Sequence, residues 1–275
     1  MKKNKKLSAI LYILLITLVV ISLFPFFWLI RSSLMTSTEI FSMPMQWLPK
    51  KPEIRNYYTA LTSLPFLLYF GNTLTIVILN VLGNILSSSF VAFGFSRIKF
   101  KGRGFWFILL ISTMMIPYSS VMIPQFIGWR AVGAYNTFLP LILPAFFGNA
   151  FYIFLLRQFY MGIPKEYDEA AFMDGANYLS IYAKIIIPMS KPALTTVGVF
   201  TFMGVWNDFF GPLLYLSDNT KYTLALGLRS FIGQYVSEWN LMMAVSCVII
   251  LPMIVLFFFA QKTFIEGITF TGLKG

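Results

Sequence analysis

From Leu7 to Ile30 the chain runs for twenty-four residues without one charged side chain, and four later stretches do the same over comparable lengths. A helix that crosses a bilayer needs about 20 predominantly apolar residues. In hydrocarbon such a stretch must close its own backbone hydrogen bonds, which a helix does alone. The composition agrees: 58% of residues are apolar and only 11% charged, too little charge to cover a soluble fold of this size. The expected fold is therefore all-α, a polytopic integral membrane protein forming a single transmembrane domain over 1–275. Its six spans are expected at about 7–30, 67–95, 104–127, 138–159, 192–215 and 239–261. The first run is too long for a signal-peptide core and lacks a small-residue cleavage site, so it reads as an uncleaved span.

The formal charge of +11 would point to nucleic acid in a soluble protein. Here the lysines and arginines are scattered between apolar runs and mark loops, so no nucleic-acid partner is expected. With the N-terminus inside, fourteen of them fall on the cytoplasmic side and seven outside. That excess predicts cytoplasmic N- and C-termini. The chain has no histidine and one cysteine, Cys247. An internal disulfide, a Cys/His metal site and a histidine-based catalytic triad are excluded. No GxxxxGK[ST] run occurs, so no P-loop nucleotide site is expected.

Polar residues inside a span are costly and should face other helices or a watery path. Thr73, Asn80, Asn84 and Ser87 share one stripe of the second span. Hydrogen bonding between helices accounts for such a stripe better than substrate contact does. Asn149 lies in a fourth span interrupted by Pro140 and Pro144. Asn207 and Asp208 follow Trp206 in the fifth. Asn80, Asn84, Asn149, Asn207 and Asp208 are the candidates for a translocation cavity. Asp208 is equally readable as a headgroup-level residue beside an interfacial tryptophan. An intramembrane enzyme would need paired acids, a Ser/His pair or metal ligands, and a single acid in the spans argues against one.

Between the fourth and fifth spans, about 160–191, lies a polar segment. Pro164 opens a short helix whose first turn carries Glu166, Asp168 and Glu169, acids suited to the positive end of a helix. Tyr167, Ala170 and Ala171 share a face with small side chains. Asp174-Gly175 is a turn signal, with Gly175 free to adopt a positive φ. A second helix is predicted from Tyr178, Ile181, Tyr182, Ile185 and Ile186 at helical spacing, stopped by Pro188.

Glu169-Ala170-Ala171, then Asp174-Gly175-Ala176, Tyr182, Ile185, Ile187-Pro188 and Pro192 resemble the EAA loop of bacterial ABC importer permeases, which also lies about a hundred residues from the C-terminus. FGFSRIKFKGR at the end of the second span, Trp206-Asn207-Asp208-Phe209, Asn56-Tyr57-Tyr58 and the tail FIEGITFTGLKG resemble the carbohydrate-uptake members. The likeness is to the shorter partner of the maltose-type pair. It implies the ABC type I importer permease fold in a bacterial inner (cytoplasmic) membrane. It also implies a second homologous permease chain, two cytoplasmic ATPases, an extracytoplasmic solute-binding protein, a sugar substrate and surrounding membrane lipid. Glu169, Ala170, Ala171, Asp174, Gly175 and Ala176 would form the coupling helix loop. No cofactor is expected on this chain, with ATP and magnesium bound by the partner ATPase. The chain itself would be a non-catalytic permease subunit. A polyol or a glycerophosphodiester is the alternative cargo.

Overall fold

The computed structural model describes residues 5–233 and 238–272. Lys2, Lys3 and the last tail residues, 273–275, lie outside the described residues. Among the described residues every regular element is helical and none is a strand. Four helices are long and apolar enough to cross a membrane: Ile10–Ser33, Phe66–Arg97, Leu139–Gly162 and Trp239–Gln261. Two bent pairs raise the number to as many as six.

The chain divides into two compact units. One comprises residues 1–66 and 227–252. Its apolar core joins Ala60, Phe231, Leu241, Ala244 and Val245. A polar knot closes the helix ends. The Asn56 amide donates to the carbonyls of Ser33 and Met35, both at 2.9 Å, where the helix Lys5–Ser33 has run out of partners. Its oxygen accepts from the Asn240 amide at 3.0 Å, at the start of the helix Trp239–Gly272. Ser37 donates to Asn240 at 2.7 Å. Of the Asn56-Tyr57-Tyr58 motif, the asparagine is thus the structural hub.

The other unit comprises residues 67–226 and 253–275. Within it the helix Phe66–Arg97 runs beside the segment Leu139–Gly162 in the same direction, stitched at steps along its length. Asn80 donates to the Leu141 carbonyl at 2.9 Å and Ser87 to that of Ala145 at 2.8 Å. Ser88 accepts from the Asn149 amide at 3.2 Å, Arg157 donates to the Phe95 carbonyl at 3.3 Å, and Arg97 to that of Ile163 at 2.9 Å. The cause lies in the sequence of the second partner. Pro140, Pro144 and Gly148, whose φ is +88°, break it into a short helix, a 3-10 turn and the helix Ala150–Gly162. Such breaks free backbone groups that neighbours must satisfy in lipid. The polar stripe of the first helix does so.

Three stretches depart from simple spans. The third is bent by 96° between Arg103–Met115 and Tyr118–Ala131. The break falls at Pro117, which drives Ile116 into extended backbone, whereas Pro124 is accommodated inside its helix. The fifth span, expected as one run over 192–215, stops at Trp206 and resumes as Phe210–Tyr215. There the Asp208 carboxylate accepts from the Gly211 amide at 3.0 Å and competes with the helix for backbone donors. Pro188 does not end the second hairpin helix, as the sequence suggested. Residues Tyr182–Ile186 form a π-helix, with the Ile187 amide donating to the Tyr182 carbonyl. The wider turn resets the hydrogen-bond ladder just before Pro188, so its missing donor is tolerated and the helix reaches Met189. A 77° bend then leads into Lys191–Trp206.

Candidate functional site

The segment after Gly162 is a helical hairpin. Its first helix, Glu166–Met173, starts with Glu166, Asp168 and Glu169 in the first turn. It ends in a turn at Asp174, where Gly175 has φ +79° and its amide donates to the Phe172 carbonyl at 3.0 Å. A Cβ at Gly175 would meet nothing within 4 Å, so the backbone angle alone calls for glycine. Asn177 caps the second helix through the Ser180 amide at 2.8 Å.

Adjacent residues on a helix point about 100° apart. Glu169 and Ala170 face outward and are exposed, as are Tyr167 and Asp174. Asp168 turns inward and is buried. Its Oδ2 lies 3.3 Å from Arg97 Nε at the end of the helix Phe66–Arg97. Burial pushes the Asp168 carboxyl above the ordinary carboxylate range, with Arg97 pulling the other way and Glu169 adding to the rise. Ala171 and Ala176 are half-buried against a core of Phe93, Leu156, Tyr160, Ile181 and Ile186. The Tyr182 hydroxyl shares a 2.7 Å hydrogen bond with Ser89, and its ring packs edge-on to Phe90. The hairpin therefore offers one small-residue, acidic face outward and is fixed by its other face.

A cavity of about 490 Å³ opens farther along the same unit. Its walls include Asn80, Tyr118, Gln125, Trp129 and Asp208, an apolar hollow with a few convergent polar groups. Of the five cavity candidates, Asn80 and Asp208 are brought together on this wall. Asn84 is buried on the stripe next to Asn80 but does not line it. Asn149 caps the helix Ala150–Gly162 by accepting from the Phe151 and Tyr152 amides. Asn207 is exposed and donates to the Met203 carbonyl at 2.8 Å.

Two features escaped the sequence reading. One is the Arg97–Asp168 pair; the opposed directions of two neighbouring acids on a short helix were its available signal. The other is Asn136, with φ +58°, whose side-chain oxygen accepts from the amides of Ser217 and Asp218 at 3.2 and 3.1 Å. Lys221 donates to its carbonyl at 2.7 Å. This clasp holds the loop after Tyr215, itself a cavity wall.

Comparison with known proteins adds to this geometry. The family model described as binding-protein-dependent transport system inner membrane component matches residues 1–269. The chain is 33% identical over 258 residues to the arabinooligosaccharides transport system permease protein AraQ of Halalkalibacterium halodurans, covering 93% of this chain and 92% of that one. It is 32% identical over 250 residues to the probable starch degradation products transport system permease protein AmyC of Thermoanaerobacterium thermosulfurigenes, covering 91% of each. Among solved structures it resembles a chain of a bacterial ABC transporter involved in the import of the acidic polysaccharide alginate. The TM-score is 0.83 at 23% identity, covering 95% of this chain and 98% of that one. At that identity the match speaks for the fold.

Proposed function

From the premise that this chain belongs to the family of binding-protein-dependent transport system inner membrane components, we propose that it is the permease subunit of an ATP-driven importer of sugars or oligosaccharides. It forms half of a translocation pathway whose other half is a homologous permease. Relatives named for arabinooligosaccharide and starch-product transport support a carbohydrate cargo over a polyol or a glycerophosphodiester. The subunit is non-catalytic: two cytoplasmic ATPases carry ATP and magnesium, and an extracytoplasmic binding protein delivers the solute. It sits in the bacterial inner membrane with both termini and the hairpin in the cytoplasm, as the positive-inside count favours.

The observation that carries this reading is the two-faced hairpin. Glu169 offers a charge to a basic residue of the ATPase, the exposed Ala170 allows close approach, and the half-buried Ala171 seats the docking helix on its own core. Asp174, Gly175 and Ala176 set the turn that orients this face. The buried face is held by Arg97, so a push on the docking helix reaches the span directly. Asn80 and Asp208 line the path on this chain's side, while Asn84 is buried beside Asn80 and Asn149 caps the helix Ala150–Gly162. The test is reconstitution of the permease pair with its ATPases and binding protein. Substrate-stimulated ATP hydrolysis and uptake should both vanish in Glu169→Lys and Ala170→Leu while the complex still assembles. Wild-type coupling in both variants would reduce the hairpin to a connector.

A further inference from the structure

A second hollow, also about 490 Å³, lies away from the cavity and the hairpin's outer face. One wall is a stripe of the helix Arg103–Ser112 and its continuation: Trp106, Leu109, Leu110 and Thr113, at i, i+3, i+4 and i+7. Phe95 and Phe147 stand opposite. From Trp106 to Thr113 the stripe climbs seven residues at 1.5 Å each, a length of about 10 Å. That reaches about two thirds of the way into one leaflet of a hydrocarbon core of about 30 Å. Trp106 is exposed at the end nearest the loop, the level at which indoles sit in bilayers.

Four cations neighbour the lining residues at this end. Phe100, a lining residue, is flanked by exposed Lys99 and Lys101. Arg103 stands one turn before Trp106. Arg157 donates to the carbonyl of lining residue Phe95, and its guanidinium lies 4.0 Å from the centre of the Phe107 ring. Arg103 donates to the Ile98 carbonyl at 3.3 Å, which keeps its guanidinium at the loop end. Among the described residues the ion pair of this region is Arg97 with Asp168; no carboxylate pairs with Lys99, Lys101, Arg103 or Arg157. Crowded cations without counter-charge call for an anion.

The occupant must therefore combine a compact anion at the loop with an apolar tail running from it into the leaflet. We infer that this groove is a binding site for an anionic phospholipid, its phosphate held by Arg103, Arg157 and the flanking lysines and one acyl chain lying along Trp106–Thr113. Basic pockets between helices are the usual setting for such headgroups. The inference does not depend on the coupling role of the hairpin.

The test uses the purified permease assembly, stripped of lipid and returned to nanodiscs of phosphatidylcholine with or without phosphatidylglycerol. Native mass spectrometry then counts retained lipid, and phosphatidylglycerol with a photoreactive acyl chain maps its contacts. The expected result is selective retention of phosphatidylglycerol, with cross-links in the peptide spanning 106–113. The double variant Lys99→Gln, Lys101→Gln, whose side chains are exposed, and Arg103→Gln should each keep the fold. Selectivity should fall by about fivefold for each cation removed. Thr113→Trp should block the acyl cross-link and leave the fold intact. Equal retention of the two lipids by the wild type would overturn the proposal, and so would unchanged selectivity in the charge variants. A photoreactive residue in place of Leu109 that cross-links to the second permease in the assembled complex would also overturn it, because protein would then fill the groove.

Discussion

Arg97 and Asp168, seventy-one positions apart in sequence, meet at 3.3 Å with both side chains largely buried, yet the contact is not a complete hydrogen bond. Arg97 Nε and Asp168 Oδ1 are both without a hydrogen-bond partner. Burial of such a pair costs solvation that the attraction repays only with good geometry. The raised carboxyl of Asp168 says the same: burial outweighs the pull of Arg97. The pair is therefore better understood as fixing the register of the hairpin on the span than as a source of stability.

A pH dependence with a definite sign follows. Because folding raises the carboxyl's pKa, its contribution to hairpin stability is greatest below the ordinary value of 3.8 and is lost as pH rises through the raised value. Hydrogen exchange of the amides at 166–176 should slow as pH falls toward that range, once the intrinsic pH dependence is removed. Asp168→Asn should flatten the profile. Arg97→Met, which strands the carboxylate, should cost about 3 kcal/mol at neutral pH and much less in acid. A flat wild-type profile would mean that Asp168 is not buried in the assembled protein.

Gly175 gives a cleaner separation of backbone from contact. Its φ of +79° is costly for a β-branched residue, about 1–3 kcal/mol, while the space around it is open. Gly175→Val should therefore lower coupling, and Gly175→Asn, which tolerates that region, should retain most of it. The measurement is uptake per ATP hydrolysed in proteoliposomes. Equal loss in both variants would implicate side-chain bulk against a partner instead of the turn.

How far the sequence carried the fold depends on the range of the interactions. The uncharged runs expose the spans because lipid punishes charge locally, and Gly175 declares its turn through its own backbone limits. The π-helix at Tyr182–Ile186 has no such local signature. It accompanies the anchoring of the Tyr182 hydroxyl to Ser89, ninety-three positions away, and of its ring to Phe90. Asp208 was legible as an acid in a membrane segment, but its role in breaking the helix at Trp206 emerges only with the Gly211 amide. Likewise the stripe from Asn80 to Ser87 declared that it needed partners, though not that they would be carbonyls of the proline-broken segment.

That stripe yields a contrast between two polar residues on one cavity wall. Asn80 donates to the carbonyls of Ile76 and Leu141, so Asn80→Leu strands the Leu141 oxygen and should cost about 1–3 kcal/mol. Its effect should appear as reduced yield of the assembled complex. Asp208→Asn retains an oxygen to accept from Gly211, so assembly should survive while the charge facing the cavity is lost and uptake falls. Normal uptake by Asp208→Asn would remove this carboxylate from the pathway.

The orientation of the whole arrangement is open to a labelling test that does not depend on transport. Cys247 is the chain's single cysteine, so Cys247→Ser provides a silent background. Met173, at the end of the first hairpin helix, is 90% exposed, and its replacement by cysteine disturbs neither the Gly175 turn nor the Asp168 contact. Asn219, in the loop after Tyr215, is exposed and leaves the Asp218 cap intact when replaced. If the lysine and arginine excess marks the cytoplasm, an impermeant thiol reagent added to intact cells should label Asn219→Cys and spare Met173→Cys. Permeabilisation should then expose the second site to a comparable extent. The opposite pattern would put the hairpin outside the cell, beyond the reach of any cytoplasmic ATPase, and the coupling proposal would fall with it.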